Sequence, residues 1–246
     1  MPTIVASVPR AGFAWVTKKL KGEVAIPLIT TNRINMPDVA EQIIASGEAD
    51  MVSMARPLLA DPEWAVKAKN HRSDRINTCI ACNQACLDHV FQNQRASCMV
   101  NPRACHETEL KIVPAQRRKR IGVIGAGPAG MACATTLAER GHDVTLIDAA
   151  EQIGGQFNYA KRIPGKEEFH ETLRYFRNRL TDVGVHVRLG YTADAESIRA
   201  QNFDDVVIAT GITPRKVSFP GSEDSRVLTY LDILARNQLA GQRVAI

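Results

Sequence analysis

Aromatic residues are scarce in this 246-residue chain, 5% of the total, and none interleaves with its one dense basic run, Arg117-Arg118-Lys119-Arg120. Binding to nucleic acid needs stacking platforms beside the cations, so it has no support here. With a net charge of only +5, the run reads as the solvated flank of the apolar strand that follows it. No apolar stretch approaches the ~20 residues that a bilayer span requires. Met1-Pro2 is not followed by the charged and apolar regions of a secretory leader. Without a secretion cue, the six cysteines read as ligands or buried thiols before disulfides, and the expected compartment is the cytoplasm. There is no internal repeat and no low-complexity tract. A composition of 45% apolar and 23% charged residues belongs to an ordinary globular chain, with room for one large domain or two modest ones.

Against that plain background four cysteines stand out. Cys79, Cys82, Cys86 and Cys98 follow the spacing C-x2-C-x3-C-x11-C inside Thr78–Pro102. A cubane iron–sulfur cluster needs four thiolates converging on one point, and three of them within eight residues can wrap one loop around it. Cys98 then supplies the fourth, and Asn101-Pro102 turns the chain away. Zinc is the competitor, because four-cysteine zinc sites also use C-x2-C, but they present two paired knuckles rather than a triplet and a singleton. Unligated thiols are the third reading. Cys105 falls outside the spacing and reads as a bystander. Cys133 sits inside a helix pattern and reads as a small buried thiol.

The second constellation is Gly125-Ala126-Gly127-Pro128-Ala129-Gly130. It follows the apolar strand Ile121–Gly125 and opens a helix predicted over Pro128–Arg140, the context a dinucleotide fingerprint requires. Gly125 permits the tight turn, Gly127 lets the backbone approach a pyrophosphate, and Gly130 lets helix and strand come close. The helix N-terminus offers N–H groups and a positive dipole end to phosphates. Asp148 closes the next strand, Asp143–Asp148, about twenty residues on, where an acid accepts hydrogen bonds from ribose hydroxyls. Gly154-Gly155-Gln156-Phe157 and the later run Val206–Gly211 look like elements of flavoproteins that bind two dinucleotides. They favour FAD in this half, with a nicotinamide domain beginning near Val244.

Elsewhere the pattern is an α/β rhythm. Helix patterns at Phe13–Leu20, Pro37–Ser46 and Pro62–Asn70 alternate with strands at Val24–Thr30 and Ala49–Met54, which implies a parallel sheet. Val24–Thr30 is nearly all apolar and is expected to be buried on both faces. A long helix is expected at about Lys166–Val183, then strands at Val185–Leu189 and Asp205–Ala209. Two βα units are too few for a stable sheet, and a new strand begins at Gly241–Ile246, so the chain is expected to be a segment of a longer protein. The expected fold class is α/β: C-terminal βα units of a TIM barrel (1–75), a cysteine-rich iron–sulfur segment (76–110) and a Rossmann-like FAD-binding domain (111–246). Arg33 and Arg56 follow the two early strands, on the barrel face where phosphates are held; by placement they suit a flavin phosphate or ring, or are solvated surface arginines.

Taken together, these residues resemble the bacterial-type NADPH-dependent 2,4-dienoyl-CoA reductases, old-yellow-enzyme-like flavoproteins grouped with trimethylamine dehydrogenase. The most specific matches are Val8-Pro9-Arg10, Thr31–Asn35, Met54–Pro57, Asn77–Cys86 and Ile163–Phe169. The three-residue gap between Cys82 and Cys86 matches the reductases. The resemblance implies a barrel carrying FMN, a [4Fe–4S] cluster at its edge and an FAD/NADPH module. Electrons would pass from NADPH through FAD, cluster and FMN to an unsaturated acyl-CoA, a small-molecule substrate of fatty acid β-oxidation. It places Arg33, Ala55 and Arg56 on FMN, and Cys79, Cys82, Cys86 and Cys98 on the cluster. Gly125, Gly127, Ala129, Gly130, Asp148, Gln156 and Lys166 would line the FAD, with Ala193 touching it through its backbone. The family's catalytic tyrosine and its histidine partner have no counterpart in this chain, which alone is not expected to be a competent reductase. The alternatives are an enoate or xenobiotic reductase, an amine dehydrogenase, and a zinc-binding or electron-carrier module.

Overall fold

A computed structural model describes residues 4–215 and 217–246. The chain divides into two compact units: one runs through Gln116 and includes Pro164–Gly184, and the other comprises Arg117–Ile163 and Val185–Ile246. The helix-forming segment 164–184 therefore belongs with the first unit, inside the span read from sequence as the FAD-binding domain.

The first unit opens with helix α1 (Ala14–Leu20) and the short strand β1 (Ile29–Thr30). Helix α2 (Pro37–Ala45) and strand β2 (Met51–Val52) follow, then helices α3 (Arg56–Ala60) and α4 (Trp64–Lys69). Pro37 and Pro57 take first-turn positions, where a missing N–H costs nothing. β1 and β2 pair in parallel, Ile29 opposite Met51 and Thr30 opposite Val52. This corrects two expectations. The strand expected at Val24–Thr30 is confined to its last two residues, and Val24, Ile26 and Ile29 are exposed rather than buried on both faces. An apolar run forms a long buried strand only where neighbours cover it, and here β1 has one. The apolar core instead lies among Ala14, Ile34, Met36, Ile43, Ala49, Trp64 and Ile76. Helix α5 (His89–Phe91) follows a π-turn at Gln84–Asp88, and the long amphipathic helix α8 (Phe169–Asp182) buries Leu173 and Leu180.

The second unit is a four-stranded parallel sheet of order β5-β4-β3-β6. Its strands are β3 (Arg120–Ile124), β4 (Asp143–Ile147), β5 (His186–Arg188) and β6 (Asp205–Ile208). Helix α6 (Pro128–Glu139) crosses from β3 to β4; α7 (Phe157–Ala160), α9 (Ala195–Ala200) and α10 (Tyr230–Leu234) complete the unit. Val123, Leu146 and Ile147 are fully buried, as the continuous apolar runs of central parallel strands require. Gly122 has a steric role: a Cβ there would stand 2.7 Å from the Phe203 ring. Gly241–Ile246, read as the start of a strand, has no strand pairing in the structure.

Candidate cofactor sites

The four cysteines come together. Cys79, Cys82, Cys86 and Cys98 line one small cavity in the first unit, with Arg56, Asn83 and an apolar lining of Leu59, Ile80, Met99 and Val100. Left-handed backbone at Ala81 (φ 52°) and Asn83 (φ 62°) bends the loop between the first three thiols. The π-turn then carries Cys86. Cys98 enters from a bridge to Asn101. Asparagines tie this irregular stretch to the helices beneath it. Asn77 Nδ2 donates to Val100 O at 2.7 Å and to Ala60 O at 3.3 Å, and Asn101 Nδ2 donates to Leu59 O at 2.8 Å. The Asn77 amide N–H also donates to Asp61, which in turn holds Lys67 at 2.7 Å. The segment's richness in Asn was visible in sequence; its service as backbone ties was not.

Burial pushes the Cys79 thiol up to about 11 and raises Cys82 and Cys98 as well. Repulsion between neighbouring thiolates adds to the rise, while Arg56 pulls Cys79 and Cys82 back down. These thiols are therefore neutral at physiological pH unless a cationic centre draws their protons off. Among the described residues no three His, Cys, Asp or Glu side chains meet closely enough to hold a single metal ion. The thiols surround a cavity rather than closing on a point. Cys105 is exposed, and Cys133 is half-buried in α6.

Arg33 and Arg56 do sit just beyond the C-terminal ends of β1 and β2, yet both guanidinium groups are engaged within the chain. Arg33 is 4% exposed at its side chain and donates to Glu168 Oε1 at 2.9 Å and to Val8 O at 3.0 Å. Arg56 Nη1 donates to Asn83 Oδ1 at 2.5 Å and to Ile4 O at 3.1 Å. Ala55 caps the short helix α3 without a side-chain bond.

In the second unit the glycine turn forms the floor of a larger, open cleft. Gly125, Gly127, Ala129, Asp148, Gln156 and Ala193 all line it, together with Tyr159, Tyr191, Thr210 and Gly211. Gly125 has a φ of 110°, and a Cβ on it would lie 2.2 Å from Ala209 O. Gly130 lies beneath the cleft, where a Cβ would sit 1.7 Å from Gly125 O. At Gly127 a Cβ would meet nothing within 4 Å. That space is the room a pyrophosphate needs to approach the backbone. Asp148 accepts from Ala126 N at 2.5 Å and from Ala150 N at 2.8 Å, so it pins the glycine turn. A carboxylate has about four acceptor sites, and ribose hydroxyls can share those that remain.

Lys166, expected on FAD, lies in the first unit and does not line this cleft. Sequence reasoning missed Tyr159 and Tyr191. Only four tyrosines exist in the chain, and finding two of them on one cleft marks that scarcity as the overlooked signal. Arg188 stacks on Tyr191, its guanidinium carbon 3.5 Å from the ring centre, and fixes that wall.

Residues 119–246 match the family model described as pyridine nucleotide-disulphide oxidoreductase, and residues 4–75 match the NADH:flavin oxidoreductase / NADH oxidase family. The chain is 41% identical to a metal reductase of Desulforamulus reducens across 100% of its own length, and 40% identical to an NADH oxidase of Thermoanaerobacter brockii across 96%. It spans 37% of each of those relatives. Among solved structures, a 2-naphthoyl-CoA reductase superposes with a TM-score of 0.92 at 36% identity, covering 98% of this chain and 37% of the other. Through residues 119–246 the chain belongs to the pyridine nucleotide-disulphide oxidoreductase family, joined to an old-yellow-enzyme-like NADH:flavin oxidoreductase segment.

Proposed function

We propose that this chain is the cluster-and-FAD part of an NAD(P)H-dependent flavoenzyme that reduces an activated carbon–carbon double bond. Its four cysteines would hold a [4Fe–4S] cluster. The observation that carries the reading is the single cavity lined by all four thiols and one arginine. A four-thiolate set without histidine is a soft donor set that suits iron–sulfur or zinc. A lone zinc ion would draw four sulfurs to about 2.3 Å from one centre. The triplet-and-singleton spacing of the four cysteines favours a cluster over a lone zinc ion.

When bound, FAD accepts two electrons from NADPH and a [4Fe–4S] cluster passes electrons singly toward FMN. The chain's own residues do the holding. The neutral thiols at Cys79, Cys82 and Cys98 would give up their protons on holding a cluster, and the Arg56 cation would offset part of the resulting charge. Gly127 leaves the pyrophosphate its approach. Asp148 fixes the turn and offers acceptors to ribose, and Gln156 and Ala193 border the same cleft. The N-terminus of α6, with Pro128 and Ala129 on the cleft, would offer its positive dipole end to the phosphates.

For the substrate, an unsaturated acyl-CoA thioester is the reading we favour, a 2,4-dienoyl-CoA in particular. Its support is the likeness to the 2-naphthoyl-CoA reductase, which exceeds that to histamine dehydrogenase at a TM-score of 0.80 and 25% identity. The test is a metal and flavin inventory of protein purified without oxygen, with visible spectra before and after dithionite. About four irons and one FAD per chain with a bleachable brown absorbance support the reading. Zinc without flavin overturns it.

A further inference from the structure

The first unit buries a charge network that neither cofactor site accounts for. Glu168, 7% exposed, precedes α8 and accepts from Arg10 Nε at 3.0 Å, Arg10 Nη2 at 2.7 Å and Arg33 Nη2 at 2.9 Å. Two arms lead from it to the cysteine segment. On the first, Glu168 holds Arg33, and two residues further along the chain Asn35, 2% exposed, donates from Nδ2 to the Cys79 carbonyl at 3.0 Å. The backbone carbonyl of Asn35 is held in turn by Trp64 Nε1 at 3.0 Å.

On the second arm, Arg10 Nη2 donates to Glu171 at 3.2 Å, and Arg174 Nε donates to the other oxygen of Glu171 at 2.6 Å. Arg174 then donates to Ser73 O, Ile76 O and Thr78 Oγ1 at 3.1, 3.0 and 3.0 Å. Thr78 is fully buried and immediately precedes Cys79. Both arms therefore end at the first cysteine of the set, one on its carbonyl and one on the residue before it.

We propose that Glu168 is a positioning residue for the four-cysteine cavity, fixing Cys79 through Asn35 on one side and through the Glu171–Arg174 pair on the other. The inference rests on the reading of the cavity as a redox-cluster site, where fixed charges and outer hydrogen bonds set the potential. Packing alone would need no charge here. Three arginines and two carboxylates instead form one network, which reaches the cysteine segment through Arg174.

Two variants test it. Glu168→Gln removes the carboxylate charge; Asn35→Leu cuts the first arm and leaves the ion pairs in place. In the iron-free chain, residue-resolved alkylation is expected to show Cys79 reacting about tenfold faster in either variant, with Cys98 and Cys133 unchanged. In the iron-loaded chain, a potentiometric titration is expected to show Glu168→Gln raising the midpoint, because a nearby negative charge is gone, and Asn35→Leu moving it less. Cys79 rates unchanged in both variants, or faster labelling of all three cysteines together, would overturn the proposal. If Glu168→Gln does not fold, Asn35→Leu decides alone. If the unaltered chain takes up no iron, the cluster reading fails, and the alkylation rates still decide the positioning role.

Discussion

The two units build their sites from opposite materials. The dinucleotide cleft of the second unit is made mostly of backbone: a turn between a buried strand and a helix, with glycine wherever a side chain would collide or intrude. The cysteine cavity of the first unit is made of side chains on a loop with little regular structure, held by asparagine ties and a buried ion network. A backbone site is specified by local sequence, since steric limits act between residues a few positions apart. A side-chain site is specified by partners far along the chain, such as Glu168 with Arg10 and Arg33.

The largest effect should come from Glu168→Ala, which leaves the buried Arg33 without its carboxylate, while Arg10 keeps Glu171. Leaving one half of a buried pair uncompensated costs about 3–5 kcal/mol, and chemical denaturation is expected to show this loss in the first unit. Next is Gly130→Ala, where the new methyl would meet Gly125 O at 1.7 Å. A loss of about 3 kcal/mol is expected, with FAD binding abolished, since overfilling a close-packed site forces backbone movement. Equal stability of Gly130→Ala and the unaltered chain would break the claim that the cleft is a steric construction.

The legibility of the two units follows the same divide. Strand β3, helix α6, strand β4 and the acid after them lie within a residue or so of where the periodicity placed them, because a parallel βαβ unit announces itself over thirty residues. The four cysteines were legible as a set from spacing. Their scaffold was not: Lys166 was expected on the flavin and Glu168 was given no role, whereas Glu168 is buried among arginines of the first unit. Nothing in local sequence shows which of two adjacent glutamates turns inward. The strand expected at Val24–Thr30 failed for a related reason, since an apolar run records a demand for burial without naming the neighbour that meets it.

Smaller effects sharpen the contrast. Cys79 titrates near 11 when folded, against an ordinary value of 9.0, so the unfolded chain ionises first. Its contribution to stability is complete below about pH 9 and is lost as pH rises toward 11, about 3 kcal/mol in all. Denaturation of iron-free protein across that range should show this loss, and Cys79→Ser should blunt it. The smallest change in stability belongs to Gly127→Val, expected at about 1 kcal/mol: a Cβ there meets nothing within 4 Å, and the cost is that of a poor N-cap residue for α6. Flavin affinity should nevertheless fall sharply, as the side chain takes the room of the pyrophosphate.

The most direct measurement pairs Cys98→Ala with Gly127→Val in protein purified without oxygen, counting iron and flavin in each. Two separately built sites predict that the cysteine variant loses iron and keeps FAD, while the glycine variant loses FAD and keeps iron. Iron retained in Cys98→Ala, or flavin retained in Gly127→Val, would contradict the assignment of those residues to the two cofactors.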